Sequence, residues 1–557
     1  MLNWNSTDTH PPIPEISASL PYALGLSLSL LAFLYLRSLA TWNTRSRRLS
    51  TPPGPRSLPF FGNALDMPKA KQWEGFRDLC AKYGDILCLH VFTQPVVVLG
   101  SADVIVEYLD KRSANTSDRK QTASLKLMGY DTSFGLMPYG PEWKLRRRAF
   151  WQHFSPTAVG NYQNIQRETT RTFLRTLLEH SRDIDIERHL TKSVATTLLR
   201  VLYGIETQND IDEAVAAIQG GLEGGRQVLV SGGFLVDFFP ILRYSPSFVP
   251  FQRRFAKWRT GLERLMNTPF ACYQAAAEKL GDDAPPCVVG GVITSLLKDD
   301  QEKEHVADIE FIAKRIAVDS MEAGTDSVTL FILPYLEQWS DRANLQTVST
   351  LTTVLLAMSL YPNIQKKAQA ELDAVVGPDR FPDFSDRDLL VYIDAIIKEA
   401  LRWMPSAPLG LTHCTRNDDE LRGYFIPAGT VLMANIWACL RDPEAYENPE
   451  EFHPERFLRD GKLDPSVRDP SDFIFGFGRR TCPGRHFGLA ALFINVASVL
   501  HTFNISRPLD DCGREIVIEP RMANGFVSHP EDSRVQLKPR SPEAEALILR
   551  STGGAIA

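Results

Sequence analysis

Through much of the chain, apolar residues recur at spacings of three and four with charged residues between them. In 165-IQRETTRTFLRTLLEH-180 and 364-IQKKAQAELDAVV-376 this pattern predicts amphipathic helices. Runs suited to strands are fewer and shorter: 94-QPVVVLG-100 and 423-GYFIPAGTVLMA-434, the second divided by a Pro-Ala-Gly turn. The pattern predicts a mainly α protein with a minor β region.

Near the start the pattern changes. Residues 20–36, LPYALGLSLSLLAFLYL, carry no charge over 17 positions, the short end of what spans a bilayer as a helix. No Lys or Arg precedes them, whereas Arg37, Arg45, Arg47 and Arg48 follow, which places the rest of the chain on the cytosolic side. A cleaved secretory signal would want a basic leader and a small-residue cleavage site, so the flanks favour a retained anchor. The glycosylation sequon at Asn5 then faces the lumen, close to the membrane. In 51-TPPGPRSLPFFGN-63, four prolines and two glycines forbid a helix and predict a stiff connector. The expected organisation is a short lumenal segment (1–19), a transmembrane anchor (20–36), a basic flank and proline-rich hinge (37–63), one large body (64–540) and a C-terminal tail (541–557).

Charge and cysteine usage narrow the function. Lys plus Arg number 61 against 67 for Asp plus Glu, with no long basic tract, so nucleic acid is excluded as a partner. The eight cysteines form no CxxC pair and no disulfide framework, which suits a reducing compartment. Cys482 stands apart from the others because of its setting in 473-FIFGFGRRTCPGRHFG-488. Thiolate binds metal, whereas an apolar site alone would keep the thiol protonated. A metal at the sulfur reverses that preference, and amides freed by a turn at Gly476, Gly478 and Gly484 can donate hydrogen bonds to it. No second cysteine or histidine lies at zinc spacing, so a one-ligand site implies a metal already held by a cofactor. Heme fits that description.

Phe475, Gly478, Arg480, Cys482 and Gly484 match, in order and spacing, the F-x-x-G-x-R-x-C-x-G signature of the cytochromes P450, and the chain resembles that family from Pro52 to about Arg540. The resemblance implies a cytochrome P450 fold behind the N-terminal transmembrane helix, and heme b bound axially by Cys482. It also gives meaning to weaker signals. Glu399 and Arg402 in 399-EALR-402, with Arg456 in 454-PERF-457, resemble the family's buried structural triad. Trp143 and Arg147 match its W-x-x-x-R, and these two, with Arg480 and His413, occupy positions that meet heme propionates. Two carboxylates buried beside a porphyrin need such cationic or donor partners. Arg479 and Arg485 receive no role.

For oxygen activation the family uses an acid and an alcohol on a long central helix. In 323-AGTDS-327, Asp326 is the acid, and Ser327 stands where threonine is usual, keeping the hydroxyl without the methyl that restricts its rotamer. The central helix should then run on, yet 328-VTLFILPYLEQWSDRANLQ-346 intervenes, with Pro334 where a helix interior is expected. Removing these nineteen residues places Thr347 directly after Ser327 and restores an unbroken helical run. A retained intron explains this economically: the frame is kept, valine codons begin GT, a glutamine codon can end in AG, and Ala-Asn-Leu can encode a branch-like sequence. The alternative is a genuine loop insertion.

Carried over from the family, the substrate-determining stretches are 120–138, 316–324, 407–410 and 523–527. Their small and apolar residues suit a lipophilic small molecule, with Asp319 and Glu322 as polar exceptions. The chain contains no flavin or dinucleotide-binding fingerprint, consistent with electrons from a separate NADPH-cytochrome P450 reductase at the endoplasmic reticulum membrane. The expected activity is monooxygenation, by hydroxylation or epoxidation, in fungal secondary metabolism. A heme-thiolate isomerase or dehydratase, and a heme-binding protein impaired by the 328–346 insertion, remain as alternatives.

Overall fold

The computed structural model describes residues 40–180, 186–228, 234–299, 306–325, 346–510 and 512–551, together with isolated positions between 29 and 37. Its contacts divide the chain into two units, one made of 1–52 with 418–427 and the other of 53–417 with 428–557. In the first unit, strands Asp419–Leu421 and Tyr424–Ile426 form an antiparallel hairpin. Arg422 and Gly423 both take positive φ (50° and 85°), as a tight two-residue turn requires. Arg45 forks onto Asp418 at 2.6 and 2.8 Å, and Trp42 meets the edge of Phe425 at 5.3 Å. The expected anchor at 20–36 falls almost wholly outside the described residues, among which no helix is long and apolar enough to cross a membrane.

The second unit is mainly helical, as the periodicity predicts. It begins with α1 (Gln72–Tyr83), followed by the hairpin of β1 (Ile86–Val91) and β2 (Gln94–Leu99), in which Ile86 opposes Leu99. After α2 (Ala123–Met128) and α3 (Pro141–Phe154) come α4 (Gln163–Glu179), α5 (Ile186–Tyr203), α6 (Pro250–Leu280), α7 (Val288–Asp299) and α8 (Val306–Thr325). The chain continues with α9 (Gln346–Leu360), α10 (Pro362–Val375), α11 (Val391–Trp403), β3 (His413–Cys414) and β4 (Val431–Ala434). It closes with α12 (Arg485–Thr502), β5 (Phe503–Ser506), β6 (Gln536–Pro539) and α13 (Pro542–Arg550). The main sheet runs β1–β2–β4–β3, with β2 and β4 parallel and the other pairs antiparallel. The run at 423–434 is divided at its Pro-Ala-Gly turn as the pattern predicts: 424–426 belongs to the first unit's hairpin and 431–434 to this sheet.

Two apolar cores result. In the first, α9 to α12 pack with the sheet through residues such as Leu356, Ile396, Phe493 and Val98. In the second, α3 and α5 to α8 meet through Phe154, Leu202, Leu262, Val292 and Ile316. Helix α9 carries hydroxyls inside the first core, and they return their hydrogen bonds to its own backbone: Thr352 to the Val348 carbonyl at 2.7 Å and Thr353 to Ser349 at 2.8 Å. The stretch from 541 is more than a tail, because Ser541 accepts from the Ala544 amide at the start of α13 and buries Leu547 and Ile548 in the first core.

Helix α8 ends at Thr325, and α9 begins at Gln346 and packs against it. Positions 326–345 lie outside the described residues, and with them Asp326, Ser327 and all but the last residue of the expected insertion. The structural triad, by contrast, is explicit. Glu399 and Arg402, both fully buried on α11, form a bidentate pair at 2.8 Å, and the Arg456 Nε donates to Glu399 at 3.2 Å. Arg402 spends its other donors on the carbonyls of Leu440, Pro449 and Glu451, which ties α11 to the segment leading toward Cys482.

Candidate active site

A cavity of about 360 Å³ opens at the seam of the two cores, with Cys482 in its wall. The cysteine sits between a tight turn and the first residue of α12. Gly476 and Gly478 both have positive φ (75° and 53°), and a Cβ on Gly478 would lie 2.5 Å from the Ser113 Cβ and 2.8 Å from the Leu109 carbonyl. Only glycine fits there. The Cys482 amide donates to the Phe475 carbonyl at 2.6 Å, which closes the turn. Burial pushes the Cys482 thiol up, while the Gly484 and Arg485 amides and the charges of Arg147 and Arg485 pull it back toward thiolate. The apolar setting and the donors at the sulfur are those the glycine pattern predicts.

Around this turn the structure gathers buried cations. Arg480 donates to the carbonyls of Ser117 (2.8 Å), Phe134 (3.1 Å) and Met137 (2.7 Å), and its guanidinium lies 4.7 Å from the centre of the Trp143 ring. Arg147, one turn further along α3 than Trp143, donates to the Thr481 carbonyl and also faces the Trp143 ring. His413 is buried on β3 and its Nδ1 meets the Thr116 carbonyl at 2.8 Å. Burial first, then Arg119 and Arg480, hold this histidine well below its ordinary pKa, so it is neutral with Nδ1–H donating to the carbonyl. Phe475, Gly478, Arg480, Cys482, Gly484, Trp143, Arg147 and His413 are thus brought to one place. Asp326 and Ser327 lie outside the described residues, and Thr347 belongs to α9 with its side chain outside them.

Arg119 joins this group although nothing in the motifs points to it. It is buried, donates to the carbonyls of Gly135 (3.1 Å) and Leu411 (3.0 Å), and lines the cavity. Its only signal in the sequence is an arginine in the polar run 115-NTSDRK-120, which reads as a surface charge. Among the described residues, Arg119, Arg147 and Arg480 form no ion pair with a carboxylate. The one carboxylate near them, that of Asp118, acts on Arg119 and Arg480 without pairing with either; guanidiniums so little compensated are costly, and an apolar ligand carrying carboxylates offsets that cost. The thiol, the apolar walls around Phe150, Leu198 and Ala491, and this cationic rim together fit heme.

On the other wall the expected substrate stretches are only partly lining. Ser133 to Leu136, Ala407, Gly410 and Phe526 face the cavity, as do Asp319 and Glu322. Ile316, Ala317 and Val318 do not; they are fully buried in the second core.

Comparison with known proteins decides the family. The Cytochrome P450 family model matches residues 52–279 and 346–537. The chain belongs to the cytochrome P450 family. Cytochrome P450 monooxygenase COX2 of Coprinopsis cinerea is 36% identical over 508 residues, covering 90% of this chain and 92% of the relative. Cytochrome P450 monooxygenase COX1 of the same fungus is 35% identical, covering 95% and 98%, and the tryptamine 4-monooxygenase of Psilocybe cyanescens is 34% identical, covering 92% and 96%. This P450 is accordingly a heme-thiolate monooxygenase similar to fungal enzymes, with Cys482 as the cysteine of the family's heme signature.

Proposed function

We propose that this P450 is a membrane-anchored enzyme of fungal secondary metabolism that hydroxylates or epoxidises a lipophilic small molecule with electrons from an NADPH-cytochrome P450 reductase. The observation that carries the site assignment is the convergence of Cys482 with the buried Arg119 and Arg480 and the half-buried Arg147, none of which forms an ion pair among the described residues. Bound heme supplies the oxygen-activating redox chemistry. Residues of the chain do the rest. The Cys482 sulfur would hold the heme iron, steadied by the amides that open α12, and Arg480, Arg147 and Arg119 would neutralise the heme carboxylates, with Trp143 packed against the guanidiniums of Arg480 and Arg147. His413, neutral and with Nδ1–H on the Thr116 carbonyl, would stand beside those carboxylates. Asp326 and Ser327 serve as the acid and alcohol that pass protons, with Thr347 following them once 328–346 is removed. An anchor at 20–36 keeps the body on the cytosolic face of the endoplasmic reticulum, where lipophilic substrates partition.

A second reading is favoured by one observation. The family match resumes at 346, the last residue of the nineteen that the sequence pattern assigns to a retained intron, while the unmatched stretch before it also takes in 280–327. On that reading the chain with 328–346 is impaired and the spliced chain is the active enzyme. Expressing both forms with a reductase and NADPH, and analysing products by mass spectrometry, tests both readings. Product from the shorter form alone supports the splice; NADPH consumption without oxygenated product from either form would overturn the monooxygenase assignment. A transcript that still codes for 328–346 after maturation would remove the intron.

A further inference from the structure

Asp319 and Glu322 are the polar exceptions in an otherwise apolar stretch of α8, and both line the cavity, which suggests groups that hold a substrate. Their contacts say otherwise. The Asp319 Oδ2 accepts from the Phe134 amide at 2.8 Å, and its Oδ1 lies 2.9 Å from an Arg315 Nη2. The Glu322 Oε1 accepts from the Tyr130 hydroxyl at 2.7 Å, and its Oε2 is 3.6 Å from the same Arg315 nitrogen. Arg315 is fully buried and its guanidinium lies 5.1 Å from the centre of the Tyr130 ring. Turning either carboxylate toward a ligand would leave this guanidinium less compensated in the interior, an expensive exchange.

Apart from Arg315, the partners of these carboxylates belong to one short stretch, 130–137, that runs along the cavity. Its other edge is held from the opposite side. The Phe134 and Met137 carbonyls accept from Arg480, the Gly135 carbonyl from Arg119, and the Leu136 carbonyl from Gln121 at 2.8 Å. One strap therefore bridges the carboxylates of α8 and the arginines beside the cysteine turn. Tyr130, Ser133, Phe134 and Leu136 line the cavity from it.

We propose that Tyr130, Asp319 and Glu322 are specificity-determining positioning residues: they fasten the 130–137 strap to α8 and thereby set which ligands the cavity admits, without themselves binding substrate. The proposal rests on the cavity being the heme and substrate site. Tyr130→Phe removes one hydroxyl and no ring, and Glu322→Gln keeps shape while weakening the acceptor, so both are milder than truncation. The probes are imidazole and the bulkier 4-phenylimidazole, which ligate ferric heme from the cavity side.

In each variant holoenzyme the 4-phenylimidazole association rate should rise about tenfold or more, as expected for loss of a hydrogen bond to a charged group. Imidazole, small enough to pass a closed strap, should change by less than about twofold on the same scale. The double variant should add little to the Tyr130→Phe variant, because both substitutions act on the same Tyr130–Glu322 contact. Equal changes for both azoles, or none, would overturn the proposal, even where thermal unfolding shows the variants destabilised. The carbon-monoxide difference spectrum of each variant separates the two levels: a normal thiolate band with unchanged azole selectivity refutes the strap alone, whereas no thiolate band in the parent enzyme refutes the site.

Discussion

The two walls of the cavity each carry buried ionic groups, and they treat them differently. Beside the cysteine turn, Arg119, Arg147 and Arg480 are held by backbone carbonyls and an aromatic face, with no carboxylate partner among the described residues. On the α8 wall, Asp319 and Glu322 are already committed to Arg315, a tyrosine hydroxyl and a backbone amide. Carbonyls can orient a guanidinium but cannot cancel its charge, and the lone Asp118 carboxylate offsets two of the three only in part, so an anionic ligand completes the first wall. The second balances its charge within the protein, Arg315 against Asp319 and Glu322. Buried charge by itself therefore does not mark a binding group; the identity of its partners does.

The largest break in this picture comes from the sulfur. Cys482→Ala should abolish the thiolate-type carbon-monoxide band and all oxygenase activity, while Cys512→Ala, at an exposed cysteine, should change neither. Next comes the brace behind the turn. Glu399→Gln leaves Arg402 and Arg456 with a neutral partner in the interior, and loss of one member of a buried pair costs about 3–5 kcal/mol. Denaturant unfolding should register that loss along with poor heme retention. Arg480→Leu should follow, speeding heme transfer to an acceptor apoprotein by about 10- to 100-fold, the value of a hydrogen bond to a charged group. Asp319→Asn should leave that transfer rate within about twofold, since its wall is paired within the protein.

The smallest effect is pH-dependent. His413 is held neutral by burial and by the neighbouring Arg119 and Arg480, so the unfolded chain binds its proton more readily than the heme-free fold. Heme-free protein should lose stability as pH falls through about 6.5, and His413→Gln should flatten part of that slope. The heme-loaded enzyme, with carboxylates beside the imidazole, should show less of it.

The sequence carries these walls unequally. The cysteine turn is legible because its glycines answer to local geometry: Gly478 is required by a Ser113 side chain and a Leu109 carbonyl that press against it, and such a constraint leaves a fixed spacing. Glu399 and Arg402 are legible for the same reason, being one helical turn apart. Arg119 is invisible because its partners, Gly135 and Leu411, are distant in sequence and contribute only backbone carbonyls, which leave no residue-type signal. Asp319 and Glu322 are visible but misleading, since helical spacing shows that they share a face with Arg315 without showing that Tyr130 and Phe134 come to meet them. The break in the β run at 423–434 is legible in its Pro-Ala-Gly turn, but the different partners of its two pieces are not, because pairing is set by segments distant in sequence.

The unpaired cations can be interrogated through the ligand itself. Heme-free enzyme should be reconstituted in parallel with heme b and with its dimethyl ester, which keeps the ring and iron but removes both carboxylate charges. The cationic wall predicts that heme b binds at least about 100-fold more tightly, and that the preference collapses when Arg119 and Arg480 are both replaced by leucine. Equal affinity for the two compounds in the parent enzyme would contradict the claim that these arginines are completed by the ligand.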